Sequence, residues 1–293
     1  MPLEYDIRLA GSVTCEGKPA DPDNAIVLQS VSGLDGRDRR AQIEAVPAGD
    51  GDFFGPVTRA GITLTVEALI TGTSRAALRA RERALLAALE PTDTDSTILV
   101  EVIGREGDPS GGLRAFMRTS APLRAPDLAD HNPNMKPATW ALAAESAVWL
   151  GPDDHSEEMA PAAQGGLGFP LVFPISFAGA AGAGTTVTNA GDARVWPELR
   201  ITGYSANPLI ENLTTGERLS FPAYEVPAGG ELVITTQPGR RAVTSGSASL
   251  YGQLDRSTSS WLSLVPGPNL IRFSDTAHDA AARLEVVYAD GYQ

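Results

Sequence analysis

The residues best suited to general acid–base or metal chemistry at neutral pH are the three histidines. His131 follows Asp127 and Asp130, and His155 follows Asp153 and Asp154, so each sets an imidazole near carboxylates, as a metal ligand or general base requires. Both stretches are polar, proline-flanked loops with no helix or strand to fix the side chains, and they are read as solvated loop charges. The run Gly179-Ala-Ala-Gly-Ala-Gly184 has the composition of a phosphate cradle. Such a cradle needs a helix N-terminus after it, and here the strand-like Thr185-Thr-Val-Thr follows. Asp93 with Asp95, and Asp50 with Asp52, lack the further acidic ligands of a calcium loop. No Gly-x-Ser-x-Gly elbow and no His-Glu-x-x-His is present. The expectation is a protein without catalytic residues, cofactor or metal. The chemistry left open is a pair of glycosidase carboxylates, whose separation is set by the fold and not by local spacing. Trp196, Tyr204, Tyr251 and Trp261 could stack on sugars. Trp196 and Tyr204 are the candidate glycan contacts, and Trp261 with Leu264 is assigned to the core.

Composition narrows the function classes further. The chain has 293 residues, 42% of them hydrophobic and 20% charged, enough apolar material for true cores and of a length that favours two domains. A formal net charge of −13 opposes wrapping of nucleic acid, which depends on clustered cations that displace counterions. Lys18 and Lys136 are the only lysines among 23 basic residues, a bias that a GC-rich genome explains. The single cysteine, Cys15, excludes an intramolecular disulfide framework and any multi-cysteine metal site. Acidic residues stand early in the sequence where a signal peptide needs basic ones, and no apolar run follows, which predicts use without export. Residues 160–191 carry no charge, but Pro161, Pro170 and Pro174 argue against a membrane helix.

The elements that would position these residues are mostly strands. Ile62, Leu64, Val66, Ala68 and Ile70 alternate through residues 61–72, the pattern of a half-buried strand. Thr73 or Ser74 can then cap a helix over 75–90, where Ala77, Leu78, Ala84, Leu85, Ala88 and Leu89 form one stripe and Pro91 ends it. Ile98, Val100 and Val102 lead through a turn-rich segment at 107–112 to Leu113, Ala115 and Met117, which reads as a hairpin. A further strand is expected over 138–150, and an exposed connection over 151–158. From about 168 onward, roughly eight strands are expected between glycine and proline turns, at Leu199/Ile201, 209–212, 218–221, Leu232/Ile234, 249–254, 261–265, 270–273 and 284–288. The domain reading is therefore a β-rich first domain over 1–160 with a helix at 75–90, a linker and entry strand over 161–190, and a β-sandwich over 191–293.

Several segments in order resemble the siphovirus distal tail protein family. They are Asn189-Ala-Gly-Asp192, Pro197-Glu-Leu-Arg-Ile-Thr-Gly203, Asn207-Pro-Leu-Ile-Glu-Asn-Leu-Thr-Thr-Gly-Glu217, Ala228-Gly-Gly-Glu-Leu-Val-Ile-Thr-Thr236, residues 246–251, and Ser260 through Phe273. Thr235 departs from the pattern, which often has aspartate there. Asp50-Gly-Asp52, the strand at 61–72, the helix and the strand near Trp149 are similar to that family's ring-forming domain. The resemblance implies a mainly β fold, with a split-barrel-like ring domain carrying one helix and a galectin-like β-sandwich. It implies a non-enzymatic tail-tip hub in the virion, made in the host cytoplasm and forming a hexamer. Its implied partners are the tail tube protein, the tape measure protein and the tail-tip or receptor-binding protein, with no specific nucleic acid and no membrane insertion. Gly191, Pro197, Gly203, Gly216, Pro266, Gly267 and Asn269 would set turns of the sandwich. Two other readings compete with the hub: a host-wall carbohydrate-binding module, and a tail-associated hydrolase with carboxylate catalysis.

Overall fold

The computed structural model describes residues 3–34, 39–45, 47, 50–90, 97–109, 111–126, 133–162 and 184–293. His131, Asp93, Asp95 and most of the linker and glycine-rich run expected before residue 184 lie outside them. The chain divides into two units between Pro152 and Asp153.

The first unit contains β1 (Asp6–Leu9), β2 (Val13–Cys15), β3 (Ile26–Ser32), β4 (Arg39–Ala45), β5 (Asp52–Arg59), β6 (Thr63–Thr71), α1 (Arg75–Leu89), β7 (Ile98–Ile103), β8 (Leu113–Arg124), β9 (Met135–Ala144) and β10 (Trp149–Leu150). Its main antiparallel sheet runs β2-β1-β7-β8-β9-β6-β3. Alternation makes this sheet one-sided. Leu64, Val66 and Ile70 of β6, Val100 and Val102 of β7, Met117 of β8 and Trp140 and Leu142 of β9 are all buried. The helix starts where Ser74 takes extended backbone and its Oγ accepts the Ala77 N–H at 3.2 Å. It buries Leu78, Leu85, Ala88 and Leu89. Arg81 donates to Asn24 Oδ1 and to the Thr71 carbonyl, while Glu82 pairs with Lys136 at 2.6 Å, which ties the helix to β6 and β9.

β4 and β5 pair with each other and with no other strand among the described residues. This hairpin was not anticipated. Its strand signal is the alternation of Arg40, Gln42 and Glu44 with Ala41, Ile43 and Ala45, but Gly55-Pro56 interrupts the partner strand, and that interruption proves to be a bulge.

The second unit contains β11 (His155–Met159), β12 (Thr185–Asn189), β13 (Glu198–Thr202), β14 (Ser205–Ala206), β15 (Leu209–Asn212), β16 (Glu217–Ser220), β17 (Glu225–Val226), β18 (Glu231–Thr235), β19 (Ala242–Ser245), β20 (Ala248–Ser249), β21 (Gly267–Ser274), β22 (Ala277–His278), β23 (Arg283–Tyr288) and β24 (Gly291–Tyr292). One antiparallel sheet runs β11-β23-β13-β18-β19-β20, a second β12-β21-β15-β16, and a small third β17-β14-β22. Leu199, Ile201, Leu232, Ile234, Leu284 and Val286 are buried on the first, and Val187, Ile210, Leu219, Ile271 and Phe273 on the second, the inner faces of a two-sheet sandwich.

Three segments differ from the sequence reading. The expected connection at 151–158 is largely β11, an edge strand. Its residues are polar and exposed except Met159, so no alternation announces it. Residues 249–254 form the end of β20 and a 3-10 turn, Tyr251–Gln253, instead of a strand. Residues 261–265 make only an isolated bridge, Val195 to Leu264. There buried asparagines replace a ladder: Asn212 Nδ2 donates to the Ser263 carbonyl at 2.8 Å, and Asn189 Nδ2 to the Leu264 carbonyl at 3.3 Å.

Candidate functional site

Each of the two described histidines, His155 and His278, meets one carboxylate. His155 Nε2 lies 3.2 Å from Asp290 Oδ2 and its ring tilts against Tyr288, so its carboxylate partner comes from the far end of the unit and not from its chain neighbours. The other oxygen of Asp290 accepts the Ala190 N–H at 2.7 Å. His278 Nδ1 meets Asp275 Oδ1 at 2.7 Å, and Asp275 Oδ2 accepts from Ser205 Oγ at 2.8 Å. These are the residue types of a hydrolase triad in the wrong order. A nucleophilic serine must give its proton to the histidine, whereas here the carboxylate stands between them. Ser205 and His278 face each other across β14 and β22, and the network fastens that small sheet. Among the described residues no group of three or more His, Cys, Asp and Glu side chains could hold a metal ion.

The turn positions converge around a buried amide spine. Asn269 Oδ1 accepts the Val265 N–H at 3.0 Å, while its Nδ2 donates to the Val265 and Gly267 carbonyls. Asn212 reaches the same oxygen of Asn269 at 3.2 Å. Asn189 Oδ1 accepts from the amides of Gly191 and Gly291, and a Cβ on Gly191 would stand 1.9 Å from the Gly291 carbonyl oxygen. Gly203, Gly216 and Gly267 take φ of +77°, +77° and +86°. Pro197 is buried and its carbonyl accepts from Thr236 Oγ1 at 2.6 Å, whereas Pro266 is exposed. Gly191, Gly267 and Asn269 are thus gathered at one spine, Gly216 joins it by donating its N–H to the Asn212 carbonyl at 2.8 Å, and Gly203 lies opposite Ala281 and Ala282.

The aromatic residues arrange differently from the reading above. Trp196 and Tyr204 are each half-buried and share no ring contact. Leu264 is fully buried, but Trp261 is only half-buried and stacks on Tyr251, with centroids 5.9 Å apart and planes 27° apart. Arg241 sits over the Trp261 ring at 5.3 Å and Arg256 over the Tyr251 ring at 5.7 Å. Tyr251, Arg256 and Trp261 come from residues 250–261 and Arg241 from the residue before β19; reading 261–265 as a strand is what assigns Trp261 to the core.

The most apolar exposed surface is on the β4–β5 hairpin. Its register opposes Ala41 to Val57 and Ile43 to Phe54, with the bulge between, so these four share one face. Arg39 and Arg59 flank that face at the base, and Asp52 lies opposite Ala45 toward the tip. The other face holds Gln42, whose Nε2 donates to Glu44 Oε1 at 2.6 Å, along with Phe53. Exposure is 80% for Phe54, 60% for Phe53 and Val57, and 55% for Ile43.

The β-sandwich with its buried asparagine spine and the β-rich unit carrying one helix define a mainly β, two-unit architecture. Residues 190–292 match the family model of the siphovirus-type tail component, C-terminal domain. Among solved structures, the chain resembles the Dit protein of phage SPP1, described as a paradigm of the hub adsorption apparatus in phages that infect Gram-positive bacteria. The TM-score is 0.63 at 14% identity, over 99% of both chains. A chain of the phage p2 baseplate in its activated, strontium-bound conformation gives a TM-score of 0.49 at 10% identity over 97% of both chains. No curated protein sequence matches the chain. The mainly β architecture is therefore the fold of that Dit protein.

Proposed function

We propose that this protein is a non-catalytic hub subunit of the tail tip, whose first unit closes with copies of itself into a hexameric ring. The ring would join the tail tube protein and tape measure protein to the tail-tip or receptor-binding proteins. In this reading residues 1–160 serve as the ring-forming domain, residues 161–190 as linker and entry strand, and the sandwich from 191 as a platform for tip proteins.

The observation that carries the proposal is the bare apolar face of the β4–β5 hairpin. A two-stranded ribbon is marginal by itself in water, and each large apolar side chain left exposed forgoes about 1.5–3 kcal/mol of burial. A face with Ile43, Phe54 and Val57 at its centre and arginines at its base is built to be covered. A neighbouring copy is the occupant that closed symmetry favours. A hairpin seated on a different surface of the next subunit makes a heterologous contact, and such contacts close into rings when the rotation permits. The net charge of −13 also supplies acidic surface for the basal arginines.

The test is Phe54→Glu in the full chain, followed by sedimentation velocity and circular dichroism. Phe54 touches no core, so the far-ultraviolet spectrum should be unchanged while the assembled species gives way to monomer. An assembly that survives both Phe54→Glu and Ile43→Glu would refute this role for the hairpin.

A further inference from the structure

The stack Arg241–Trp261–Tyr251–Arg256 is made of groups that seldom stand idle together on an acidic protein. In the second unit Arg194 meets Glu217, Arg200 meets Glu198 and Glu285, and Arg272 meets Glu211, while Arg218 and Arg283 donate to backbone carbonyls. Arg241 and Arg256 are exposed, and each has an aromatic face beneath it and, among the described residues, no carboxylate partner. The nearest acid in sequence, Asp255, is turned inward on its own loop. Its carboxylate accepts from Ser257 N at 3.0 Å, Ser257 Oγ at 2.6 Å and Thr258 Oγ1 at 2.6 Å. The loop is further tied to β16, since Asp255 N donates to the Ser220 carbonyl, Ser260 N to the Arg218 carbonyl, and Arg218 Nε to the Thr258 carbonyl. The loop bearing Tyr251, Arg256 and Trp261 is thereby fixed before any ligand arrives, and Arg241 reaches it over the Trp261 ring.

From this geometry we infer that the stack is a binding site for an acidic saccharide, a sugar or sugar-like chain bearing phosphate or carboxylate groups. A guanidinium fork laid on a ring keeps its N–H edge free for the two oxygens of such an anion. The half-exposed indole and phenol between the two forks offer apolar edge for the C–H groups of the sugar. Acidic peptide would use the forks without needing the rings. Duplex nucleic acid is opposed by the chain's net charge of −13. The site is confined to one chain and acts whether or not subunits assemble.

Titration calorimetry on the full chain, with tryptophan fluorescence in parallel, tests the site with four probes: oligogalacturonate, oligo(glycerol phosphate), neutral maltoheptaose and oligoglutamate. One or both of the first two should bind, and which one binds identifies carboxylate or phosphate as the recognised group. Arg241→Gln and Arg256→Gln should each weaken that binding by about tenfold, as expected for loss of one charge-assisted contact. Trp261→Leu should weaken it while leaving the circular dichroism unchanged. The inference is overturned if neither acidic saccharide binds, if maltoheptaose binds as tightly, if oligoglutamate binds as tightly, or if the double arginine variant binds like the parent.

Discussion

Cys15 lies on β2 opposite Ile7, fully buried, and its thiol is pushed up to about 12, chiefly by burial and secondarily by the negative charges of Asp6 and Glu16. The neutral thiol is the form the fold favours. Its contribution to stability is fully present below the ordinary value near 9 and is lost as the pH rises from there through about 12. At pH 8 a disulfide reagent should release no thiol from the native protein and one equivalent per chain after denaturation. Rapid release from the native protein would contradict this placement. Residue-level chemistry was legible in the sequence only where it is local. The turn residues around Gly267 and Asn269 declare themselves through backbone requirements within a few positions. The network of Ser205, Asp275 and His278 joins groups about 70 residues apart, and only the sheet topology brings them together. Trp261 was misread because an apolar side chain in a structured loop has no periodicity to tell which side faces solvent.

At the scale of elements, amphipathic period decided what could be read. β6, α1, β7 and the first half of β8 announce themselves because each buries one face against a continuous core. The cap at Ser74 follows from the same reasoning, and Ser74→Ala should cost about 1 kcal/mol, measured by urea denaturation of the full chain. No change in the transition midpoint would mean that the hydrogen bond to Ala77 contributes nothing. β11 and the β4–β5 hairpin were hidden for opposite reasons. The edge strand is almost wholly polar, and the hairpin places its apolar residues on a face with no core in the described chain to receive them. At 261–265 side-chain amides satisfy the backbone in place of a partner strand, whereas 249–254 closes on itself in a 3-10 turn.

For the whole molecule, the functional account joins two independent lines. Residues 190–292 match the siphovirus-type tail component model, and the chain shares the fold of the Dit protein of phage SPP1. The first unit carries an apolar hairpin that a solitary chain leaves in water. The buried polar networks described above fasten turns and small sheets of the second unit. Self-assembly is the central claim, and the solution mass of the purified protein by light scattering, with negative-stain images of the same peak, tests it most directly. The account predicts a species of about 184 kDa, six copies of 30.7 kDa, with ring-shaped particles, at concentrations where the Phe54→Glu variant is monomeric. A monomer of 30.7 kDa that stays monomeric when the tail tube protein is added would contradict it.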